Sequence, residues 1–167
     1  GAAEIQYLNA NRLSSLTEQL HNFQGITEVA VPTGLNAVLR SYQQQGLNWL
    51  VFLRRFGLGG VLADDMGLGK TLQALSFMLY EKQQGRLTKP VLIVCPTSLL
   101  GNWQNEAARF SPALSVLQVY GAKRRPLFEH LADYDVIVTS YPLLVRDLPL
   151  YRQREFSLVV LDEAQHI

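Results

Sequence analysis

Cysteine is nearly absent. The single Cys95 among 167 residues excludes a disulfide framework and fits a reducing compartment. It lies in the apolar run Val91-Leu92-Ile93-Val94-Cys95, where it reads as a small buried core residue. No stretch approaches the ~20 consecutive apolar residues of a membrane span. The opening residues lack the basic-then-apolar pattern of a signal peptide. Charge of one sign is also scarce: 15 Lys and Arg against 14 Asp and Glu leave a net charge of +1. That balance names no partner, whereas a nucleic-acid protein often carries a basic excess. The clusters Arg54-Arg55 and Lys123-Arg124-Arg125 read as solvated surface patches. His21, His130 and His166 have no zinc-site spacing, and their placement suggests no serine–histidine–aspartate order. Repeats and low-complexity segments are missing as well.

What remains is an ordinary globular composition and a length that suggests one domain with a substantial core. Residues 4–24 read as a helical leader, with Leu13, Leu16 and Leu20 on one face, and a break follows near Gly25. Val29-Ala30-Val31 reads as a short strand ended by Pro32-Thr33-Gly34. From Leu39 the positions Tyr42, Gly46, Trp49, Leu50, Leu53 and Phe56 recur at three and four, which predicts an amphipathic helix closed by Gly57. Strands are then expected at 60–63, 91–95, 115–120, 135–139 and 157–161, and helices at 70–84, 98–110, 123–132 and 142–147. Val91 to Val94 and Leu158 to Leu161 are apolar on both faces, as strands of a helix-covered parallel sheet are. The alternation implies an α/β, doubly wound parallel sheet flanked by helices, with ligands at the carboxyl ends of its strands. A leader segment 1–33 and a lobe 34–167 are the expected organisation.

Asp64-Asp65-Met66-Gly67-Leu68-Gly69-Lys70-Thr71 follows the apolar run Gly60-Val61-Leu62-Ala63 and precedes the helical pattern Leu72, Leu75, Leu79. Strand, glycine-containing loop ending Gly-Lys-Thr, and helix together make a phosphate-binding loop. Glycines let the backbone turn its N–H groups toward phosphate oxygens, and a helix start adds orphan donors. Lys70 can reach terminal phosphates, and the Thr71 hydroxyl can ligate Mg²⁺. The usual first glycine of such a loop is replaced by Asp64. The bland alternative is a helix cap that happens to hold a lysine.

A second block answers the first. An apolar strand delivers Leu161-Asp162-Glu163-Ala164-Gln165-His166 at its carboxyl end. Asp162 can hold Mg²⁺, and Glu163 can orient or deprotonate an attacking water. An acidic helix start after a strand is the alternative.

Four blocks over residues 29–167 resemble the Swi/Snf-type ATPases of the superfamily-two helicase-like proteins. They are Val31 to Leu50, the loop Leu62 to Thr71, Leu92 to Trp103, and Asp162 to His166. The resemblance implies the first RecA-like lobe of an ATP-dependent translocase on double-stranded DNA. ATP and Mg²⁺ would be its cofactors, and double-stranded DNA and a second RecA-like lobe its partners. Asp65, Met66, Gly67, Leu68, Gly69, Lys70 and Thr71 would cradle ATP, and Gln43 would read the adenine edge. Pro96, Thr97 and Ser98, and after the fourth strand Thr139 and Ser140, would lie near the nucleic-acid backbone. Trp103 is read as core packing.

Departures from the family are Ser41 in place of proline, and Asp65 in place of glutamate. The Ala164-Gln165 form of the acidic box is closer to prokaryotic members. The location would then be the nucleoid-bearing cytoplasm of a prokaryote or the nucleus of a eukaryote. The family continues beyond the acidic box into a second lobe bearing arginines worth ~10³–10⁵ in rate in related enzymes. Residues 1–167 alone are therefore expected to bind nucleotide weakly and hydrolyse it poorly. Two other readings stay open: an RNA-directed helicase lobe, and a nucleotide-dependent scaffold holding partners through the leader.

Overall fold

All five residues of β1, Val91–Cys95, are buried, because both faces of this strand are covered. Val91, Ile93 and Cys95 face one apolar cluster, and Leu92 and Val94 face another. Among the described residues, β1 sits inside a four-stranded sheet with β2 (Val116–Gln118), β3 (Val136–Ser140) and β4 (Leu158–Leu161), in the order β2-β3-β1-β4. Every pairing is parallel, with Val91 opposite both Val136 and Leu158. The computed structural model describes residues 26–55 and 67–163. The expected leader helix at 4–24 and strand at 60–63 lie outside the described residues.

Two helices stack on one face of the sheet. α2 (Gly67–Gln83) lays Ala74, Leu75, Met78 and Leu79 on β1, beside Trp103 and Ala107 of α3 (Leu100–Phe110). α1 (Ser41–Arg55) covers the outside of α2, where Leu47, Leu50 and Val51 meet Phe77. α2 is consequently buried on every side from Thr71 to Leu79, Gln73 and Ser76 included. The Ser76 hydroxyl donates to the Leu72 carbonyl, so its burial leaves no orphan polar group. α2 ends in a Schellman turn: Arg86 N–H donates to Glu81 O and Gly85 N–H to Lys82 O, with Gly85 at φ +74°.

Phe128, Leu131 and Tyr151 cover the opposite face. They come from a 3-10 helix at Arg125–Asp133 and from α5 (Leu148–Arg152), which follows α4 (Tyr141–Arg146). Helices on both faces of an all-parallel sheet are the expected α/β architecture.

Two expectations are corrected. The segment at 29–31 is not a strand. Val29 N–H donates to Asn48 Oδ1, and Val29 O accepts from Gln44 Nε2, so side-chain amides of α1 take the backbone groups a strand partner would need. The helix expected at 123–132 is a 3-10 helix, with Pro126 in its first turn. The helix expected at 142–147 is α4; it ends at Asp147, whose carboxylate accepts a two-pronged bond from Arg124. Arg124 therefore belongs to a structural ion pair rather than to a free basic patch.

Candidate functional site

The carboxyl ends of β1, β3 and β4 lie side by side, and the residues leaving them gather around Asp162. Asp162 N–H donates to Val94 O and so extends the β4–β1 pairing by one residue. Its side chain is half-buried, and burial raises its pKa. Trp103 Nε1–H, the Glu163 backbone and the charge of Lys70 act against that rise. The indole bond measures 2.8 Å, to Oδ2.

Lys70, in the first turns of α2, is half-buried. Burial lowers its pKa, and the nearby Asp162 carboxylate opposes that. Lys70 and Asp162 thus sense each other's charge. Thr71 is buried, and it lies close enough to Glu106 on α3 to act on that carboxyl. Burial raises the Glu106 pKa, and Asp162 raises it further. Desolvation is the main cause of both rises, and the charges of Lys70 on Asp162 and of Arg109 on Glu106 oppose it.

Glu163 follows with φ 57°, in the left-handed region that a residue with a Cβ adopts at a cost of ~1–2 kcal/mol. Tyr141 holds the preceding peptide: its phenol donates to Asp162 O at 2.7 Å. Burial, then the Asp162 charge, pushes that phenol up to about 12, so it remains a donor. Cys95 beside it is pushed up to about 12 by burial, an inert core thiol as expected.

Asp65 and Met66 lie outside the described residues. Gly67, Leu68 and Gly69 are helical: α2 spans them, three residues before the expected start at 70. First-turn N–H groups have no intrahelical partner and point along the axis, as donors to phosphate would. Gln43 is buried at the third position of α1, and its Oε1 accepts from Arg40 N–H at 2.8 Å. This is half of a capping box, which fixes the plane of the amide.

Thr97 and Ser98 are exposed in a 3-10 turn at the end of β1, with Pro96 half-buried before them. Thr139 and Ser140 are placed otherwise. Thr139 is 0% exposed and its hydroxyl donates to Val119 O, while Ser140 is 1% exposed and its hydroxyl caps α4 by accepting from Leu143 N–H. β3 is a central strand buried on both faces, and both hydroxyls are engaged within the lobe.

Sequence reasoning missed Glu106 altogether and gave Trp103 only half of its role. Trp103 does pack in the core, at 4% exposure, but its N–H also reaches the acidic strand end. The three-residue spacing of Trp103 and Glu106, one face of a helix, was the available signal.

The donor set suits a small hard cation shared with phosphates. No group of three or more His, Cys, Asp or Glu side chains able to hold a metal exists among the described residues. Mg²⁺ is commonly held by one or two carboxylates plus substrate phosphates rather than by a full protein cage.

Comparison with known proteins agrees with this geometry. The profile of the SNF2-related domain matches residues 42–167. The putative ATP-dependent helicase/translocase YwqA of Bacillus subtilis is 43% identical over 168 residues, covering 99% of this chain and 18% of the relative. The chromatin-remodeling ATPase INO80 of Aspergillus oryzae is 39% identical, covering 94% of this chain and 12% of the relative. Among solved structures, the Sulfolobus solfataricus SWI2/SNF2 ATPase core in complex with dsDNA matches at TM-score 0.75 and 39% identity. That match covers 84% of this chain and 29% of the other. This chain therefore spans a small part of the length of the relatives it matches.

Proposed function

The chain belongs to the SNF2-related domain family and carries a RecA-like lobe of its ATPase core, and from that premise we propose that it is the ATP-binding half of a double-stranded DNA translocase. The observation that carries this reading is the convergence of Lys70, Thr71 and Asp162 at the carboxyl edge of the sheet. Two elements far apart in sequence bring a lysine, a hydroxyl and a carboxylate to one place, which is what a phosphate chain and its cation require.

Each residue has a definite task. First-turn N–H groups at Gly67, Leu68 and Gly69 would meet phosphate oxygens, with Asp65 and Met66 preceding them in the loop. Lys70 would face the terminal phosphates as a point charge. The Thr71 and Asp162 oxygens would hold Mg²⁺, which supplies charge neutralisation at the phosphates when bound. Glu163 would orient the attacking water and accept its proton, from a backbone position fixed by Tyr141. Gln43 would read adenine from an amide plane set by its cap.

Thr97 and Ser98 offer exposed hydroxyls to a nucleic-acid backbone, with Pro96 shaping the turn. Catalytic completion would come from the arginines of a second RecA-like lobe. The protein would work where DNA is, in the nucleoid or the nucleus.

The test has two arms. Calorimetry on this chain should show Mg²⁺-dependent ATP binding that Lys70→Ala abolishes. ATP hydrolysis by the two-lobe protein should rise with duplex DNA and not with RNA. Stimulation by RNA instead would select the RNA-helicase reading. Nucleotide binding without stimulated turnover would select the scaffold.

A further inference from the structure

We propose that Arg54, Arg55 and Arg86 form a binding site for a phosphoryl group, at the edge of the lobe away from Lys70 and Asp162. The inference does not rest on the nucleotide reading above.

The fold brings Arg86 to the adjacent pair Arg54-Arg55. A cavity of about 250 Å³ is lined by Val51, Arg54 and Arg55 from the end of α1, by Tyr80 from α2, and by Arg86 from the turn that follows α2. Arg54 and Arg86 also line a smaller hollow beside Val91 and Leu158, the first residues of β1 and β4. The cavity therefore lies toward the amino edge of the sheet. Along α2, Tyr80 is ~15 Å from Lys70 at 1.5 Å per residue.

Charge at this cavity is unbalanced. A single carboxylate, that of Glu81, stands among the guanidinium groups, with its side chain 3% exposed. Arg86 Nε donates to Glu81 Oε2, and Arg54 Nε lies 3.8 Å from Oε1. Both arginines thus turn an inner nitrogen to the buried acid, and their outer Nη groups have no hydrogen-bond partner among the described residues. Arg55 makes no hydrogen bond or ion pair there at all. Arginines at a helix end often bond its last carbonyls. None of these three does so. The Arg86 guanidinium lies 5.6 Å from the centroid of the Tyr80 ring, which sets its plane.

The ligand follows from this chemistry. Three guanidinium charges against one carboxylate leave an excess of two, which matches a phosphoryl dianion near neutral pH. The guanidinium fork fits phosphoryl oxygens two at a time, and its charge does not titrate. The volume falls below the ~300–1,000 Å³ of drug-sized sites, so the cavity suits a phosphoryl group and not a whole nucleotide.

The experiment follows the arginine side-chain Nε–Hε NMR signals during titration with pyrophosphate at constant ionic strength. It uses the chain carrying Lys70→Ala, so that the phosphate loop does not compete for the probe. The signals of Arg54, Arg55 and Arg86 should move together along one saturating curve. Arg55→Gln removes a charge and breaks no contact inside the lobe. It should weaken pyrophosphate binding ~10-fold or more, the loss of one charge-assisted hydrogen bond. Arg125→Gln, exposed in the 3-10 helix, should leave the affinity as it was. A short DNA duplex is titrated in parallel. If it moves the same three signals, the phosphoryl group belongs to a nucleic-acid backbone; if pyrophosphate alone moves them, it belongs to a small anion. Either result supports the site.

Signals that fail to saturate, or that move no more than those of Arg125 and Arg152, overturn the proposal. So does an Arg55→Gln affinity equal to that of its parent, because the cavity would then not be what holds the anion.

Discussion

The Tyr141 phenol donates to the carbonyl oxygen of Asp162 at 2.7 Å, and the next residue, Glu163, holds φ 57°. A side chain leaving β3 thus fixes the peptide that aims Glu163, two residues past the end of β4. Left-handed backbone at a non-glycine residue persists only where its surroundings over-determine it. Here they include this bond and the Asp162 N–H bond to Val94 O.

Removing the Tyr141 hydroxyl should loosen that aim. In the two-lobe protein, Tyr141→Phe should lower the turnover number ~10-fold or more while the KM for ATP changes little, since small misplacements of a reacting group cost up to ~10²-fold. Steady-state kinetics with duplex DNA present would measure it. An unchanged turnover number would show that Glu163 is aimed by other contacts.

Glu163→Gln keeps the shape and removes the base. ATP binding should persist, and hydrolysis by the two-lobe protein should fall by ~10²–10⁴, the range for a positioned general base. Calorimetry and a phosphate-release assay together check it. Undiminished hydrolysis would remove Glu163 from the mechanism.

Thr97 and Ser98 are the exposed hydroxyls at the end of β1. Thr97→Ala with Ser98→Ala should weaken duplex DNA binding by the two-lobe protein similarly across sequences, because backbone contacts carry no sequence information. ATP affinity in the absence of DNA should stay as it was. Fluorescence anisotropy with several unrelated duplexes would test both points.

Gly46 lets α1 pack closely on Gln73 of α2. A Cβ there would lie 2.6 Å from Gln73 Cδ, and the Gln73 amide donates to Tyr42 O. Gly46→Ala gains ~1 kcal/mol of helix propensity. It must also displace a buried amide, and overpacking of this kind costs ~1–3 kcal/mol. Net destabilisation is expected, seen as a lower urea midpoint. A midpoint raised by the substitution would mean that Gln73 moves aside freely.

Asp135 joins the start of β3 to α2 through Lys82, and to Ser115 through its N–H and hydroxyl. Burial raises its pKa, but these bonds outweigh it and hold the carboxyl below the ordinary 3.8. A depressed carboxyl pKa adds stability that is present above the unfolded value and lost as pH falls through the folded one. Wild type should therefore exceed Asp135→Asn in urea midpoint near neutrality. The gap should close below about pH 4, the unfolded carboxylate range. A gap independent of pH would rule out the ion pair as its source.

Much of this molecule was legible in one dimension. Val91 to Cys95 and Leu158 to Leu161 are apolar without alternation, and that alone announced a parallel sheet covered on both sides. The spacing of Lys70 and Thr71 after the glycines, and Asp162-Glu163 after a strand, named the site, because such patterns are local and backbone geometry reads them directly. The strand expected at 29–31 failed for a nonlocal reason: side chains from α1 claimed the backbone of Val29. The burial of Thr139 and Ser140 is nonlocal too, since only the sheet order shows that β3 is central.

Sequence by itself therefore determined the fold class and the family, and it marked out the candidate phosphate and acidic ends of a site. Tertiary structure decided what holds the acidic end: Trp103 and Tyr141 on Asp162. Those partners lie 59 and 21 residues from it in the chain. A hydrogen bond acts over about 3 Å of space whatever the sequence separation, so no periodicity along the chain records it.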